Sequence, residues 1–160
     1  MDIRSCSFSG HRDIPDSDVR SIYEYLTPML TMLINGGCTD FYTGGALGFD
    51  TIAALLVLQL KSEFPHIKLH LLLPYADQAK AWKESDRETY EFIKSQANSF
   101  IYLSNEYHRG CLYERNCALV DNCDILICYM KKRTGGTVGT VRYAQGKGKR
   151  VVNVAVTEKK

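Results

Sequence analysis

The chain has 160 residues, of which 45% are hydrophobic and 24% charged, and its formal net charge is +2. A chain of this size and composition forms one ordinary globular domain, which excludes intrinsic disorder and low-complexity sequence. The longest apolar runs, residues 52–60 and 69–73, fall far short of the roughly 20 residues of a membrane-spanning helix. The N-terminus lacks a basic segment followed by an apolar core, so we expect a cytoplasmic protein without membrane contact.

Six cysteines are present, but their spacing contains no Cys-x-x-Cys pair of the kind that binds zinc. A chain that has no export signal and can bury a large core does not need disulfides. We therefore expect six free thiols with packing roles and no metal site.

Six short apolar segments, several rich in β-branched or aromatic residues, predict strands that are covered on both faces. They lie at residues 4–9, 41–43, 67–73, 100–103, 125–130 and 151–156.

Segments with helical periodicity separate these strands. The first predicted helix begins at an N-cap formed by Asp16 or Ser17, is kinked at Pro28 and ends at residues 36–37. Trp82 lies within the third predicted helix and is expected in the core. The remaining helices are predicted at residues 50–63, 77–94, 111–120 and 138–145.

Alternating strands and helices predict an α/β fold, a Rossmann-like three-layer α/β/α sandwich with a mostly parallel sheet. No linker or repeat divides residues 1–160, so we expect a single domain. Residues 52–58 are apolar nearly all round, which indicates either a deeply buried helix or the contact surface of a homodimer.

The unusual residues follow the predicted strands at their carboxyl ends, where open parallel sheets bind ligands. The candidate ligand-binding residues are Gly10, His11 and Arg12 after the first strand, Gly44, Gly45, Ala46, Gly48 and Asp50 after the second, Pro74 and Tyr75 after the third, Arg115 in the fourth helix, and Gly135, Gly136, Thr137, Gly139 and Thr140 after the fifth strand.

Two of these loops are rich in glycine and lie between a strand and a helix. Such loops let backbone amides approach phosphate oxygens at the positive end of the helix dipole. Neither loop has the Walker pattern or the G-x-G-x-x-G dinucleotide fingerprint. Two loops in one crevice, one of them beside a basic cluster, favour phosphate binding over tight turns alone.

Individual side chains leave alternatives open. Asp50 is a candidate ligand for a ribose hydroxyl or an N-cap. Arg12 and Arg115 are candidate clamps for phosphate or carboxylate, or members of surface ion pairs. His11 is an acid, a base or a structural hydrogen-bonding group. Tyr75 is a candidate to stack on a base.

Charge is distributed unevenly along the chain. From Lys131 onward the formal net charge is +8, and the first 130 residues carry −6. This asymmetry is typical of a protein with an anionic partner near its C-terminal third, although a solvated helix face gives the same pattern.

Six segments resemble the SLOG superfamily. LYERN (residues 112–116), DNCDILI (residues 121–127) and GGTVGT (residues 135–140) are similar to the ERK, SDAFI and PGGxGT motifs of the LOG phosphoribohydrolases. SGHR (residues 9–12), GGALGFD (residues 44–50) and LPY (residues 73–75) resemble the YpsA branch of the same superfamily, which also includes DprA/Smf. The resemblance implies a Rossmann-like fold that binds ADP-ribose, a nicotinamide dinucleotide or a similar ligand.

The resemblance also bears on catalysis. LOG enzymes use an arginine of the ERK segment, which matches Arg115, and a glutamate whose position is occupied by Tyr143. Without that carboxylate, nothing at this position stabilises an oxocarbenium ion or activates water. Asn116 also replaces the lysine of the motif, so the matching residues favour ligand recognition over hydrolysis.

Three functions follow from these patterns. The first is binding or sensing of a nucleotide-derived small molecule, such as ADP-ribose, NAD or AMP, with no required cofactor. The second is LOG-type cleavage of an N-glycosidic bond by Arg115 with Asp50 or Glu114. The third is DprA-like binding of single-stranded nucleic acid, which the scarcity of aromatic residues near the basic cluster makes the least favoured.

Overall fold

The computed structural model describes residues 2–155 as six strands and five helices in alternation. The strands are β1 (Ser5–Gly10), β2 (Asp40–Thr43), β3 (Lys68–Leu73), β4 (Ser99–Tyr102), β5 (Ile125–Tyr129) and β6 (Arg150–Asn153). The helices are α1 (Asp16–Asn35), α2 (Phe49–Lys61), α3 (Glu84–Gln96), α4 (Cys111–Asp121) and α5 (Gly136–Gly146).

The strands form one sheet in the order β4-β3-β2-β1-β5-β6, and every neighbouring pair is parallel. Helix α2 packs between α1 and α3 on one face, and α4 packs against α5 on the other. This arrangement confirms the Rossmann-like α/β/α sandwich. The carboxyl ends of all six strands consequently point toward one edge of the sheet.

Alternation along β1 shows how the sequence makes the two sides of the sheet. Phe8 packs in the larger core, with its ring 6.2 Å from Phe41 and 6.3 Å from Phe49. Ser7 points to the other side, where its hydroxyl donates to the carbonyl of Leu119 near the end of α4. Successive strand residues face opposite sides, so a single β-strand connects both helical layers.

Predictions for two helices need correction. The third helix begins at Glu84 and not at Asp77, and Trp82 lies just before it, partly buried with its ring 5.3 Å from Tyr90. Residues 76–82 form turns because Gln78 turns inward and donates to the carbonyl of Gly45, a tertiary contact that outweighs local helix propensity. The predicted N-cap of α1 at Asp16 or Ser17 is also wrong, because Pro15 is the N-cap and Asp16 already begins the helix, which runs on through exposed Pro28.

Smaller differences concern the ends of two elements and the exposure of one strand. Helix α5 begins at Gly136, two residues before the predicted start, and β6 ends at Asn153. Val156, the predicted end of the last strand, lies outside the described residues. The prediction that all strands are covered on both faces is wrong for β4, whose four residues are all exposed.

Other sequence predictions concern cysteines and membrane contact. All six cysteines are free, and five of them are buried. Within residues 2–155, every helix is too short or too polar to span a bilayer. Helix α2 buries Ala53, Ala54, Leu56 and Val57 against the sheet and its neighbouring helices, so the packing of the sandwich accounts for much of its apolar surface.

The hydrogen bond between Ser7 and Leu119 predicts a stability effect. Replacing Ser7 with Ala leaves the carbonyl of Leu119, in the last turn of α4, without its buried donor. We expect the free energy of unfolding to fall by about 1–3 kcal/mol, measured by urea denaturation. Ser9→Ala is the matched control two residues along the same strand face. An equal loss in both variants would contradict this role for Ser7.

Candidate functional site

A cavity of about 450 Å³ opens at the carboxyl ends of β1 and β5, beside the start of α2 and the first turns of α4 and α5. Its volume lies within the range typical of small-molecule sites. It is lined by Ser9, Gly10, His11, Arg12, Asp13, Ala46, Asp50, Leu112, Arg115, Asn116, Lys132, Thr134, Gly135, Gly136 and Thr137.

Arg115 is the most deeply placed cation of this cavity, with only 5% of its surface exposed. Helix α4 brings it across the sheet edge to the loop after β2. Its Nη1 donates to the carbonyl of Gly44, and its Nε donates to Asn116 Oδ1 at 2.8 Å. Within residues 2–155 no carboxylate lies within 4.0 Å of its guanidinium. The other guanidinium donors are therefore free for a ligand.

Asp50 is the second charged group buried at the cavity, with 4% of its surface exposed. It lies in the first turn of α2, whose N-cap is Gly48, so the alternative that Asp50 caps this helix is wrong. Its Oδ2 accepts a hydrogen bond from the backbone N–H of Ala46 at 3.2 Å. Burial raises the pKa of Asp50 to about 6, although the nearby charge of Arg115 acts in the opposite direction.

His11 has a structural contact within the cavity wall. Its Nε2 accepts hydrogen bonds from the backbone N–H groups of Lys131 and Lys132, at 2.8 and 3.1 Å. Partial burial, reinforced by the charge of Lys132, lowers the pKa of His11 and favours the neutral ring that these two bonds require. His11 thus ties the loop after β1 to the loop after β5.

Two glycines of the loop after β2 are required by close packing. A Cβ at Gly44 would lie 2.5 Å from Nη1 of Arg115. Gly48 has φ +76°, and a Cβ there would collide with the backbone carbonyls of His11 and Arg12. These glycines set the positions of Arg115 and α2, a role that a phosphate-loop interpretation of the sequence does not include.

A basic rim surrounds the buried pair. Arg12 and Lys132 are exposed at the cavity mouth, and their side chains have no recorded ion pair within residues 2–155. Lys131, by contrast, is bound to Asp18 of α1 at 2.5 Å and is not a lining residue. The cavity lining therefore has three cations, Arg12, Arg115 and Lys132, against the carboxylates of Asp13 and Asp50, and this excess of positive charge favours an anionic ligand.

The structure brings nine of the predicted site residues to the cavity and places seven elsewhere. Tyr75 packs edge-on against Tyr107, and the hydroxyl of Thr140 donates to the carbonyl of Gly136 inside α5. The lining residues are Gly10, His11, Arg12, Ala46, Asp50, Arg115, Gly135, Gly136 and Thr137. Those outside the lining are Gly44, Gly45, Gly48, Pro74, Tyr75, Gly139 and Thr140.

The sequence-based candidates omit six lining residues: Ser9, Asp13, Leu112, Asn116, Lys132 and Thr134. Most are immediate neighbours of a candidate, and one helical turn puts Leu112 on the same face as Arg115. Asn116 also orients the Nε of Arg115. The signal that could have found them is adjacency to a candidate residue in a loop or on a helix face.

Tyr143, at the position of the LOG glutamate, lies outside the cavity lining. Its hydroxyl donates to Asp121 Oδ1 at 2.9 Å, and this bond, with partial burial, raises the pKa of Tyr143 to about 12.

A further cavity of about 510 Å³ lies beside α3. Its lining residues all fall between Ala76 and Glu91, and the charged side chains among them are exposed. Buried charged side chains, Arg115 and Asp50, line only the cavity at β1 and β5 and not the one beside α3.

Burial of Asp50 predicts a pH-dependent stability. Its pKa is higher in the folded chain than in the unfolded chain, so the folded state binds more protons between roughly pH 4 and pH 6. Raising the pH through this window lowers the contribution of Asp50 to the free energy of unfolding, by about 2–3 kcal/mol in total. The Asp50→Asn variant should therefore gain stability relative to the unmodified chain as the pH rises from about 4 to about 7.

Urea denaturation at a series of pH values measures this difference between the two proteins. Asp77→Asn, at an exposed carboxylate beyond the cavity, is the control and should preserve the profile of the unmodified chain. A constant difference between Asp50→Asn and the unmodified chain across the series would contradict the raised pKa.

The contact of His11 predicts a local change in backbone protection. His11→Ala removes the acceptor of two amides, so hydrogen exchange at Lys131 and Lys132 should accelerate by about tenfold. The amide of Val154, which donates to the carbonyl of Cys128, is an internal control that should not change. Unchanged exchange at both lysines would show that another contact holds this loop.

Comparison with known proteins gives relatives over most of the chain. The model of the YspA SLOG family (YpsA) matches residues 10–153. The UPF0398 protein of Bacillus anthracis strain A0248 is 30% identical over 133 residues, covering 81% of this chain and 72% of that protein. The UPF0398 protein of Bacillus cereus strain Q1 matches with the same identity and coverage.

Solved structures share the fold at low sequence identity. DNA processing protein A (DprA) from Streptococcus pneumoniae has a TM-score of 0.68 and 16% identity, over 92% of this chain and 49% of that chain. DprA from Helicobacter pylori, described with its single-stranded DNA binding mode, has a TM-score of 0.65 and 19% identity, over 92% and 63%. This chain thus spans about half to two thirds of those proteins. With its Rossmann-like sheet and a family match that extends over nearly all the described residues, the chain belongs to the YspA SLOG family.

Proposed function

We propose that this chain binds a nucleotide-derived small molecule of the AMP, ADP-ribose or NAD type in the cavity at the carboxyl ends of β1 and β5. The observation that carries the proposal is the buried guanidinium of Arg115, which lines the cavity with donors that no carboxylate within residues 2–155 occupies. A buried charge without a partner is costly, and an anionic ligand offsets that cost.

Phosphate is the anion that the cavity suits best. A guanidinium offers two parallel donors that match the oxygens of a phosphate. The N-terminus of α5 begins at Gly136, beside the lining residues Gly135 and Thr137, so its free backbone N–H groups and helix dipole add further attraction. Arg12 and Lys132 at the mouth supply two more positive charges for a second phosphate.

A hydroxyl-bearing sugar suits the other buried group. Asp50 is held by the N–H of Ala46 through one carboxylate oxygen, which leaves acceptor capacity for a ribose hydroxyl. Arg115 and Asp50 line the same cavity, so one ligand that carries both a phosphate and a ribose contacts both. Inorganic phosphate alone reaches only the cations and is expected to bind more weakly.

The base contributes less to recognition in this proposal. No Phe, Tyr or Trp among residues 2–155 lines the cavity, and Leu112 is its one large aliphatic lining residue. Stacking on an aromatic ring is a major source of affinity in proteins that bind single-stranded nucleic acid. Because no aromatic ring among the described residues lines the cavity, a ligand recognised through phosphate and ribose is favoured over an oligonucleotide.

The test is a binding titration of the unmodified chain and two variants. Arg115→Gln keeps much of the side-chain length and removes the charge, and Arg142→Gln is the matched control at an exposed arginine of α5 outside the lining. The ligands are AMP, ADP-ribose, cyclic ADP-ribose, NAD, NADP, inorganic phosphate and a short oligothymidylate. Thermal shift and calorimetry measure binding, and circular dichroism verifies that each variant is folded.

We expect saturable binding of at least one ribosylated ligand, with an affinity reduced by about 100-fold in Arg115→Gln and unchanged in Arg142→Gln. If no nucleotide binds at millimolar concentration, or if Arg115→Gln binds as well as the unmodified chain, the proposal is wrong. Binding of oligothymidylate alone would transfer the assignment to nucleic acid. Because Arg115 is buried, Lys132→Gln provides a second, exposed variant with a smaller expected loss.

The same samples decide whether the ligand is turned over. Chromatography after long incubation detects free base released from AMP, NAD or ADP-ribose. We expect none above the level of the Arg115→Gln control, because Tyr143 occupies the position of the LOG glutamate and lies outside the cavity lining. Release of base that requires Arg115 would instead make the site a glycosidase in which Asp50 supplies the carboxylate.

A further inference from the structure

The edge strand β4 exposes an uninterrupted apolar run. Phe100, Ile101, Tyr102 and Leu103 are 43, 50, 38 and 38% exposed. Successive side chains of a strand point to opposite faces, so this exposure means that both faces of β4 are open to solvent. Among residues 2–155, strand β4 pairs with β3 on one side only, and alternate backbone N–H and C=O groups on its other side have no strand to bond.

The opposite edge of the sheet is built differently. Strand β6 begins with exposed Arg150 and ends with exposed Asn153, whose side chain bonds both backbone groups of Met130. Lys147 and Lys149 lie just before it. Charged residues at an edge are a common protection against strand pairing, because like charges of two copies repel. Residues 99–103 contain no charged residue and no proline, so β4 lacks this protection.

We infer that β4 is the dimer interface of this protein, where a second copy of the chain pairs antiparallel through its own β4. A two-fold axis at Ile101 places Phe100 opposite Tyr102 of the partner subunit and Ile101 opposite its own copy, so these apolar side chains meet apolar side chains. The two six-stranded sheets then continue as one sheet. This inference does not depend on the identity of the ligand in the cavity.

Charge at the two ends of β4 selects a second copy in antiparallel orientation. Exposed Lys68 begins β3, beside the start of β4, where Asn98 donates its N–H to the carbonyl of Leu69. Exposed Glu106 follows the other end of β4. Antiparallel pairing brings the basic end of one protomer to the acidic end of its partner, and two-fold symmetry makes this contact twice. Pairing in a parallel orientation would put like charges together.

One charged side chain of α3 lies against the strand. The ammonium of Lys94 is 5.0 Å from the ring centre of Phe100 and donates to the hydroxyl of Tyr102 at 2.7 Å. Four paired residues bury less than the roughly 800 Å² per partner of a standard stable interface. We therefore expect a dimer that dissociates in the micromolar range.

Sedimentation velocity of the full chain over about 1–200 μM tests this inference against that expected range. The unmodified chain should shift from monomer to dimer with increasing concentration. Ile101→Lys places a charge at the centre of the edge and should remain monomeric, because two copies then repel. Met32→Lys, at an apolar residue of α1 that is 68% exposed, is the matched control and should dimerise like the unmodified chain.

A charge exchange separates strand pairing from a general loss of apolar surface. Lys68→Glu and Glu106→Lys should each weaken dimerisation by about three- to tenfold, and the double variant should restore it. A chain that stays monomeric at all concentrations would overturn the inference. So would a dimer that survives Ile101→Lys, or one that the double charge variant fails to restore.

Discussion

The hydrogen bond between the guanidinium of Arg115 and the carbonyl of Gly44 is the contact on which the candidate site depends. It joins α4, on one face of the sheet, to the loop between β2 and α2, which packs on the other. A side chain at Gly44 would occupy the place of the guanidinium. The same residue pair thus fixes the depth of the cavity and the position of its buried cation.

The second constraint is electrostatic. Arg115 and Asp50 are buried at one cavity, yet the structure records no ion pair between them within 4.0 Å. Two opposite charges that lie near each other without forming an ion pair offset only part of the free-energy cost of removing each from water. The pKa of Asp50 is therefore raised, because burial outweighs the nearby charge of Arg115. Perturbed charged groups in a cleft are common at functional sites, where the cost to stability is retained for binding. Structural contacts, such as those of His11, hold the walls around them.

The sheet distributes its roles between centre and edges. Strands β1 and β5 are adjacent interior strands, and the loops that follow them supply much of the cavity wall, as parallel topology requires. The edges carry opposite surface characters, with basic residues around β6 and apolar residues on β4. The cavity is separated from β4 by strands β2 and β3, so we expect substitutions in β4 to leave the cavity unchanged.

The sequence by itself determined the order of strands and helices, the Rossmann-like class and the edge of the sheet where candidate residues collect. Those features depend on local periodicity and on the rule that parallel strands end on the same side.

Only the tertiary structure decided which candidates share the cavity. Gly44 and Gly48 occur in a loop that resembles a phosphate loop, but they serve packing against Arg115 and the loop after β1. Arg115 and Asp50, 65 positions apart in the numbering of the chain, become neighbours in one cavity only because two helices from opposite faces begin at the same sheet edge. The start of α3 depended likewise on a distant contact of Gln78, and no local pattern records which side chains will be buried together.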